Sequence, residues 1–271
     1  MYPELFSIGP VTVYSYGVLL AVSYLFGLWL AMRRAKRWGL DPNRVLDLGI
    51  YIIIAALVGA KLLLLVVDFE QFSRSTADFL SLARSGGIFY GGLILAVVVA
   101  FGYIARHRMP LWTTCDVFAP GIALGHVTGR LGCLAAGCCY GRPTDLPWGL
   151  TFTNPLAAAN VGTPLGITLH PTQMYEAGAE LLILGFLLAT ERRGRPFGGR
   201  TFWSYMFLYA VSRYIVEIYR GDPRGMVFDA FSTSQFISLL LAPLSVGMIV
   251  WLSRTSPEPP QEMQRRRKAS A

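Results

Sequence analysis

The sequence predicts an all-α polytopic membrane protein, with about seven transmembrane helices and a glycine-rich extracytoplasmic loop region. Three observations carry that expectation. Of 271 residues, 54% are hydrophobic and only 15% charged, whereas soluble domains carry roughly 25% charged residues. Several apolar runs reach the ~18–20 residues needed to cross a bilayer. The lysines and arginines gather between those runs on alternate sides. One integral-membrane domain is expected over residues 1–252, followed by a basic cytoplasmic tail at 253–271 whose Pro/Glu/Arg-rich composition predicts disorder. No cleavable signal peptide is expected, because residues 1–10 lack a basic region and no small-residue cleavage site follows the first apolar run.

The spans are expected at about 11–32, 45–67, 88–105, 116–135, 172–190, 201–219 and 232–252. The first carries Tyr14, Tyr16 and Gly17 at its start and ends in Arg33, Arg34, Lys36 and Arg37. The second contains Lys61 near its last turns, where a long side chain can snorkel to the interface. Residues 68–87 mix charges with Phe72, Phe79 and Leu80 and read as an amphipathic surface piece. The third span opens with Phe89-Tyr90-Gly91-Gly92 and ends in Arg106, His107 and Arg108. The fourth runs into Gly125-His126-Val127-Thr128-Gly129-Arg130-Leu131-Gly132-Cys133. Residues 136–170 form the longest non-spanning region, and a loop of that length is usually functional. No internal repeat is evident.

Sixteen of the 24 basic residues follow the first, third, fifth and seventh spans, five lie on the opposite side, and Lys61, Arg130 and Arg213 lie within spans. The positive-inside rule then puts the C-terminus in the cytoplasm and the N-terminus outside. The glycine-rich stretch falls at the outer leaflet.

Arg130 is the residue the chain is built around. It follows an uncharged apolar run, where an ionisable group costs on the order of 3 kcal/mol unless paired or wet. Glycines at 125, 129, 132, 137 and 141 each cost about 1 kcal/mol in a plain helix, so a bent or broken segment is expected there. An arginine among glycines in a membrane points to an anionic head group. Tyr209, Arg213, Glu217 and Arg220 are spaced by 4, 4 and 3 residues and share one helical face. Arg213 can pair with Glu217, and Glu217 with Arg220. The alternatives for this face are a structural ion network and an anion site with net positive charge, whose guanidiniums suit phosphate oxygens. His170, Gln173 and Glu176 recur every three residues at the opening of the fifth span, with Pro171 suited to its first turn. Cys133, Cys138 and Cys139, with His126 upstream, lack the second pair of a usual zinc site, so small buried thiols are the preferred reading. An extracytoplasmic disulfide stays open. No metal and no cofactor is expected. No Gly-x-Ser-x-Gly, His-Glu-x-x-His or Walker loop occurs, which leaves a lipid with a phosphate leaving group as the natural substrate for the arginines.

Gly129-Arg130-Leu131-Gly132 through Gly141, Leu169 to Glu176, Tyr16-Gly17, Tyr90-Gly91-Gly92 and the Tyr209/Arg213/Glu217/Arg220 face occur in this order. Together they resemble the phosphatidylglycerol–prolipoprotein diacylglyceryl transferases. The resemblance implies a seven-span enzyme of the bacterial inner membrane. Such enzymes move diacylglycerol from phosphatidylglycerol to the lipobox cysteine of a prolipoprotein signal peptide, form a thioether and release glycerol phosphate. It implies phosphatidylglycerol, the signal peptide and membrane lipid as partners, with no nucleic acid, and a monomer is expected. Catalytic roles are then expected for Arg130, Arg213, Tyr90 and His170. Substrate contacts are expected at Tyr16, Gly91, Gly92, Gly129, Gly132, Gly141, Gln173, Glu176, Tyr209, Glu217 and Arg220. The sequence departs from the family pattern at Cys133 and Ala136, where Asn is common, at Cys138, where a carboxylate is common, and at Tyr90, where some members have His. The proton acceptor therefore stays open between Tyr90, His170 and neither. A catalytically altered paralogue, or a protein that binds or transports an anionic lipid, is the alternative function. Transporters tend to show paired repeats with broken helices.

Overall fold

The computed structural model describes residues 2–9, 11–72, 82, 87–192, 196–222, 225–227 and 230–255. The expected disordered tail lies outside the described residues from 256 on, as does most of the surface piece expected at 68–87. The chain divides into two compact units, residues 1–31 with 115–271, and residues 32–114.

The smaller unit centres on two apolar helices, α2 (Pro42–Val67) and α4 (Phe89–Arg106), with the short α3 (Phe69–Phe72) between them in sequence. Asp41 starts α2 by accepting from the Asn43 N–H at 2.9 Å, with Pro42 in the first turn. Both features satisfy or remove the donors a helix start leaves open. α2 and α4 meet through small residues. A methyl group on Gly92 would lie 2.6 Å from the Ala56 carbonyl oxygen, and one on Gly91 would collide with Gly59. Gly91 and Gly92 therefore sit in a packed helical turn. Lys61 Nζ donates to the Leu82 carbonyl at 2.8 Å, so its head group is held by backbone.

In the larger unit the chain opens with a hairpin, β1 (Glu4–Ile8) and β2 (Val11–Tyr14), before α1 (Ser15–Arg37). The first span expected from residue 11 thus begins at Ser15. The β-branched Val11, Thr12 and Val13 precede it as strand, as their stiffness at Cβ favours. The next long helix, α5 (Leu111–Ala136), starts five residues before the expected 116. It runs as helix through Gly125, Gly129 and Gly132, so of the bent or broken segment expected over 125–141 the break comes only after Ala136. Tertiary contact supplies the reason: Gly132 faces Tyr16 and Leu19 of α1 at 3.4 and 3.3 Å from where a Cβ would stand. One turn from Gly132, Thr128 Oγ1 donates to Ser23 Oγ at 2.7 Å.

The long connection after α5 is ordered by β3 (Leu150–Thr151), α6 (Pro155–Val161) and β4 (Thr168–Leu169), with Tyr140, Phe152 and Leu169 buried together. Then come α7 (Thr172–Arg192), α8 (Arg200–Ile218), the pair β5 (Met226–Val227) and β6 (Phe231–Ser232), and α9 (Thr233–Thr255). Ala119 and Ala123 of α5, Ile183, Leu184 and Leu187 of α7 and Tyr205 of α8 form one buried cluster. Asp116 of α5, fully buried, accepts from the Gly199 N–H at 2.8 Å and the Phe202 N–H at 2.9 Å. A carboxylate on two open donors at a helix start satisfies them and complements the dipole. This cap fixes α8 against α5.

Among the described residues seven helices have 18 or more residues. Five of them, α1, α2, α4, α5 and α9, are apolar enough to cross a membrane. The other two, α7 and α8, are long enough at 21 and 19 residues but carry charges, and those charges build the site.

Candidate functional site: three arginines around one glutamate

Glu176, one turn into α7, is 6% exposed and is approached by three guanidiniums. Arg130 Nε of α5 stands 2.7 Å from Oε2, Arg213 Nη1 of α8 stands 3.0 Å from Oε1, and Arg220 Nη1 just past α8 stands 3.7 Å from Oε2. Arg213 also pairs with Glu217 at 2.7 Å along the helix, as the spacing predicts. Arg220 departs from expectation. It forms a two-pronged pair with Asp222, Nε to Oδ1 at 2.7 Å and Nη2 to Oδ2 at 2.8 Å. α8 ends at Ile218, so Arg220 leaves the helical face and the turn brings Asp222 to it.

Three arginines thus face three carboxylates, Glu176, Glu217 and Asp222, and the expected net positive charge is balanced. The balance is geometrically incomplete. Nη1 of Arg213 and Nη1 of Arg220 are buried and, although within ion-pair distance of Glu176, have no aligned hydrogen-bond acceptor. Buried donors left open cost about 1–3 kcal/mol each, and they are ready for an oxygen that arrives in line.

The backbone wall of the site comes from the turn after α5. Gly137 ends the helix with φ +83°, in the left-handed region that glycine enters freely. Cys139 sits there too, at φ 63°, which costs a non-glycine residue roughly 1–2 kcal/mol. Two side chains from the first turn of α7 hold this turn in place: Gln173 Nε2 donates to the Cys138 carbonyl and Thr172 Oγ1 to the Cys139 carbonyl, both at 2.7 Å. Arg130 Nη1 in turn donates to Cys139 Sγ at 3.7 Å. Hydrogen bonds with Cys133 and Cys138, then the Arg220 and Arg130 guanidiniums, pull the Cys139 thiol below its ordinary range against the effect of burial. The three sulfurs lie within 4.8 Å of one another, a spacing a soft metal ion can bridge. Gly141 completes the wall. A Cβ there would come 2.5 Å from His170 and 2.8 Å from the Tyr219 carbonyl, and its N–H donates to the His170 carbonyl at 3.1 Å.

The sequence model of the prolipoprotein diacylglyceryl transferases matches residues 3–251. The chain belongs to this family. Among its relatives, a phosphatidylglycerol–prolipoprotein diacylglyceryl transferase of Clostridium tetani is 36% identical over 93% of this chain and 97% of that protein. One of Finegoldia magna is 28% identical over 87% and 90%, and one of Oceanobacillus iheyensis 30% identical over 93% and 88%. The match is to whole proteins, so the transferase architecture applies along the chain rather than to one motif.

Within this member of the family, the expected site residues fall into four groups. Arg130, Glu176, Arg213, Glu217 and Arg220 converge, with Tyr209, Gln173 and Gly141 alongside. Tyr16 stands at the start of α1 beside Gly132, and Gly129 one turn earlier faces Ser23. His170 turns elsewhere: its Nδ1 lies 3.1 Å from the Tyr175 hydroxyl and its ring 5.1 Å from that of Tyr219. Tyr90, Gly91 and Gly92 belong to the smaller unit, where Tyr90 is 42% exposed at the start of α4.

Four further residues join the site. His126 Nδ1 lies 3.0 Å from Glu180 Oε1 and 3.0 Å from Tyr205 Oη, and its ring stacks on Tyr209 at 5.4 Å. Asp222 is the fourth. Glu180 had a signal in the sequence, since it follows Glu176 by four residues and must share its face. His126 precedes Arg130 by four in the same way. A small cavity of about 10 Å³ is lined by His126, Arg130, Glu176, Glu180, Tyr209, Ser212 and Arg213.

Proposed function

We propose that this chain transfers the diacylglyceryl group of phosphatidylglycerol to the lipobox cysteine of prolipoproteins. The convergence of Arg130, Arg213 and Arg220 on Glu176 carries the reading, alongside the family to which the chain belongs. In the reaction the cysteine sulfur attacks the glycerol carbon that bears the phosphate. The C–S bond forms, the C–O bond breaks, and glycerol phosphate departs with the electron pair. Arginines aimed at that oxygen stabilise the developing charge. Arg130 and Arg213 hold the head-group phosphate, Arg213 through its open Nη1, by exchanging Glu176 oxygens for phosphate oxygens, and Asp222 keeps Arg220, whose Nη1 is also open, in place for the same task. The cavity beside Glu176 holds about one water as it stands, so head-group entry requires these side chains to part. Tyr16, Gly129, Gly132, Gly141, Gln173, Tyr209 and Glu217 shape the pocket.

The same reading takes residues 1–252 as one integral-membrane domain of seven spans in the bacterial inner membrane, acting as a monomer. The N-terminus lies outside and the C-terminus in the cytoplasm, on the asymmetry of basic residues. α7 and α8 are counted as spans because their charges pair with one another inside the bundle.

The test is complementation combined with purified transfer. Expression in cells depleted of their own transferase is expected to restore lipoprotein modification. The purified protein is expected to attach diacylglycerol to a lipobox peptide from phosphatidylglycerol, but not from phosphatidylcholine. Absence of thioether product in both assays, with folded protein present, overturns the reading.

A further inference from the structure

We propose that His126, oriented by Glu180, is the group that accepts the proton of the acceptor thiol. This rests on the transfer reading above and adds to it a residue of the arginine cluster itself.

The argument starts from the two ring nitrogens. Nδ1 of His126 faces Glu180 Oε1 at 3.0 Å. The carboxylate has no proton to give, so the contact requires Nδ1 to carry one, and Tyr205 Oη at 3.0 Å shares it as a second acceptor. The lone pair of the neutral ring is then on Nε2. Nε2 makes no hydrogen bond to any described residue. His126 is the more open partner, with its side chain 37% exposed against 4% for Glu180. A buried carboxylate on one nitrogen and an open second nitrogen is the arrangement by which a histidine is held ready as a base. Glu180 Oε2 is itself buried with no hydrogen-bond partner, so the dyad carries an unsatisfied acceptor beside the cavity.

Position agrees with the role. His126 lies one helical turn before Arg130 and lines the same cavity as Arg130, Arg213 and Glu176. A thiol that approaches the carbon next to a phosphate bound by Arg130 and Arg213 comes to the cavity that His126 also lines. The proton passes from sulfur to Nε2, the sulfur lone pair forms the C–S bond, and the C–O pair leaves on glycerol phosphate. The imidazolium so formed is stabilised by Glu180. The charged and titratable groups that face the ring are Glu180 from α7, Tyr205 and Tyr209 from α8, and Arg130, Glu176 and Arg213 across the cavity. His170 lacks this geometry, since the partner of its Nδ1 is the Tyr175 hydroxyl, which can donate as well as accept and carries no charge to stabilise an imidazolium.

The test uses the full chain in phosphatidylglycerol-containing proteoliposomes, with lipobox peptides that carry either cysteine or selenocysteine at the acceptor position. A selenol is already ionised at neutral pH and needs no base. His126→Gln is expected to lower kcat with the cysteine peptide by about 10²–10⁴-fold, leave KM for phosphatidylglycerol unchanged and flatten the acid limb of the pH–rate profile. With the selenocysteine peptide the same variant is expected to stay within about tenfold of the unaltered enzyme. Glu180→Gln keeps the imidazole but loses the charge that fixes its tautomer and stabilises the imidazolium, and is expected to show a smaller loss with the same recovery on selenocysteine. Three results overturn the proposal: His126→Gln within tenfold of the unaltered enzyme on cysteine, an equal loss on both peptides, or, where His126→Gln fails to fold, a Glu180→Gln variant with full activity. An unaltered enzyme that transfers to neither peptide refutes the transferase reading instead, so the two failures are distinguishable.

Discussion

Arg130 Nε stands 2.7 Å from Glu176 Oε2, and this ion pair joins the last turns of α5 to the first turns of α7. Glu176 is the shared acceptor of the site. Each arginine is held by it and by at least one other group, Cys139 for Arg130, Glu217 for Arg213 and Asp222 for Arg220. A buried pair of this kind gives little net stability, but loss of one partner costs about 3–5 kcal/mol because a bare charge remains. The cluster is therefore an arrangement that tolerates exchange of one anion for another far better than removal of one.

Lysine in place of arginine tests the clamp. Arg130→Lys and Arg213→Lys keep the charge but lose the planar fork that meets two oxygens at once. Turnover with phosphatidylglycerol is expected to fall by roughly 10²-fold or more at each site, as for the loss of one oriented donor to a developing oxyanion. Steady-state transfer to a lipobox peptide reads it, and near-full turnover of both variants refutes the phosphate role.

Asp116 tests the scaffold without touching the site. Asp116→Ala leaves the Gly199 and Phe202 N–H groups without their carboxylate, at about 1–3 kcal/mol each. Thermal unfolding in detergent is expected to shift down, while kcat of the remaining folded protein stays within about twofold. A stability equal to the unaltered protein would falsify the tertiary cap.

The cysteines separate chemistry from packing. A variant with Cys115, Cys133, Cys138 and Cys139 all changed to Ala or Ser is expected to retain transfer, because the reacting thiol belongs to the substrate. Loss of turnover in a folded variant, with an ion bound by the unaltered protein, assigns the sulfur trio to a metal instead. The depressed Cys139 thiol adds a pH signature. A lowered thiol stays ionised as pH falls below the ordinary cysteine range of about 8.5, and its ion pairs are lost only once pH falls through the folded value. Alkylation at pH 7 followed by mass spectrometry is expected to mark Cys139, whose sulfur lies 3.7 Å from Arg130 Nη1, ahead of Cys138. Equal labelling of the two refutes that ordering.

Orientation is open to labelling from outside intact cells. In the cysteine-free background, single cysteines introduced near Asp145 and Asp222 are expected to react with an impermeant maleimide, and ones near Lys36 or Arg193 to stay protected until the membrane is opened. The reverse pattern inverts the topology.

Local periodicity alone determined most of the helices and one half of the site. Apolar runs of bilayer length are legible because membrane crossing demands them, and the start of α7 after Pro171 and the Arg213–Glu217 pair follow from spacing along one helix. The tertiary structure decided the rest. Whether Gly132 bends a helix or admits a neighbour depends on Tyr16 and Leu19, more than 100 residues away in sequence. Arg220 carries the same helical offset from Glu217 whether or not α8 ends at Ile218, and only the end of the helix turns it to Asp222. His126 carried as sequence signals only its distance from Arg130 and its place upstream of the cysteines, since a histidine becomes a candidate base only when a carboxylate from another helix fixes its proton, as Glu180 does at 3.0 Å. Charges on separate helices are paired by packing, and packing is a property of the whole chain.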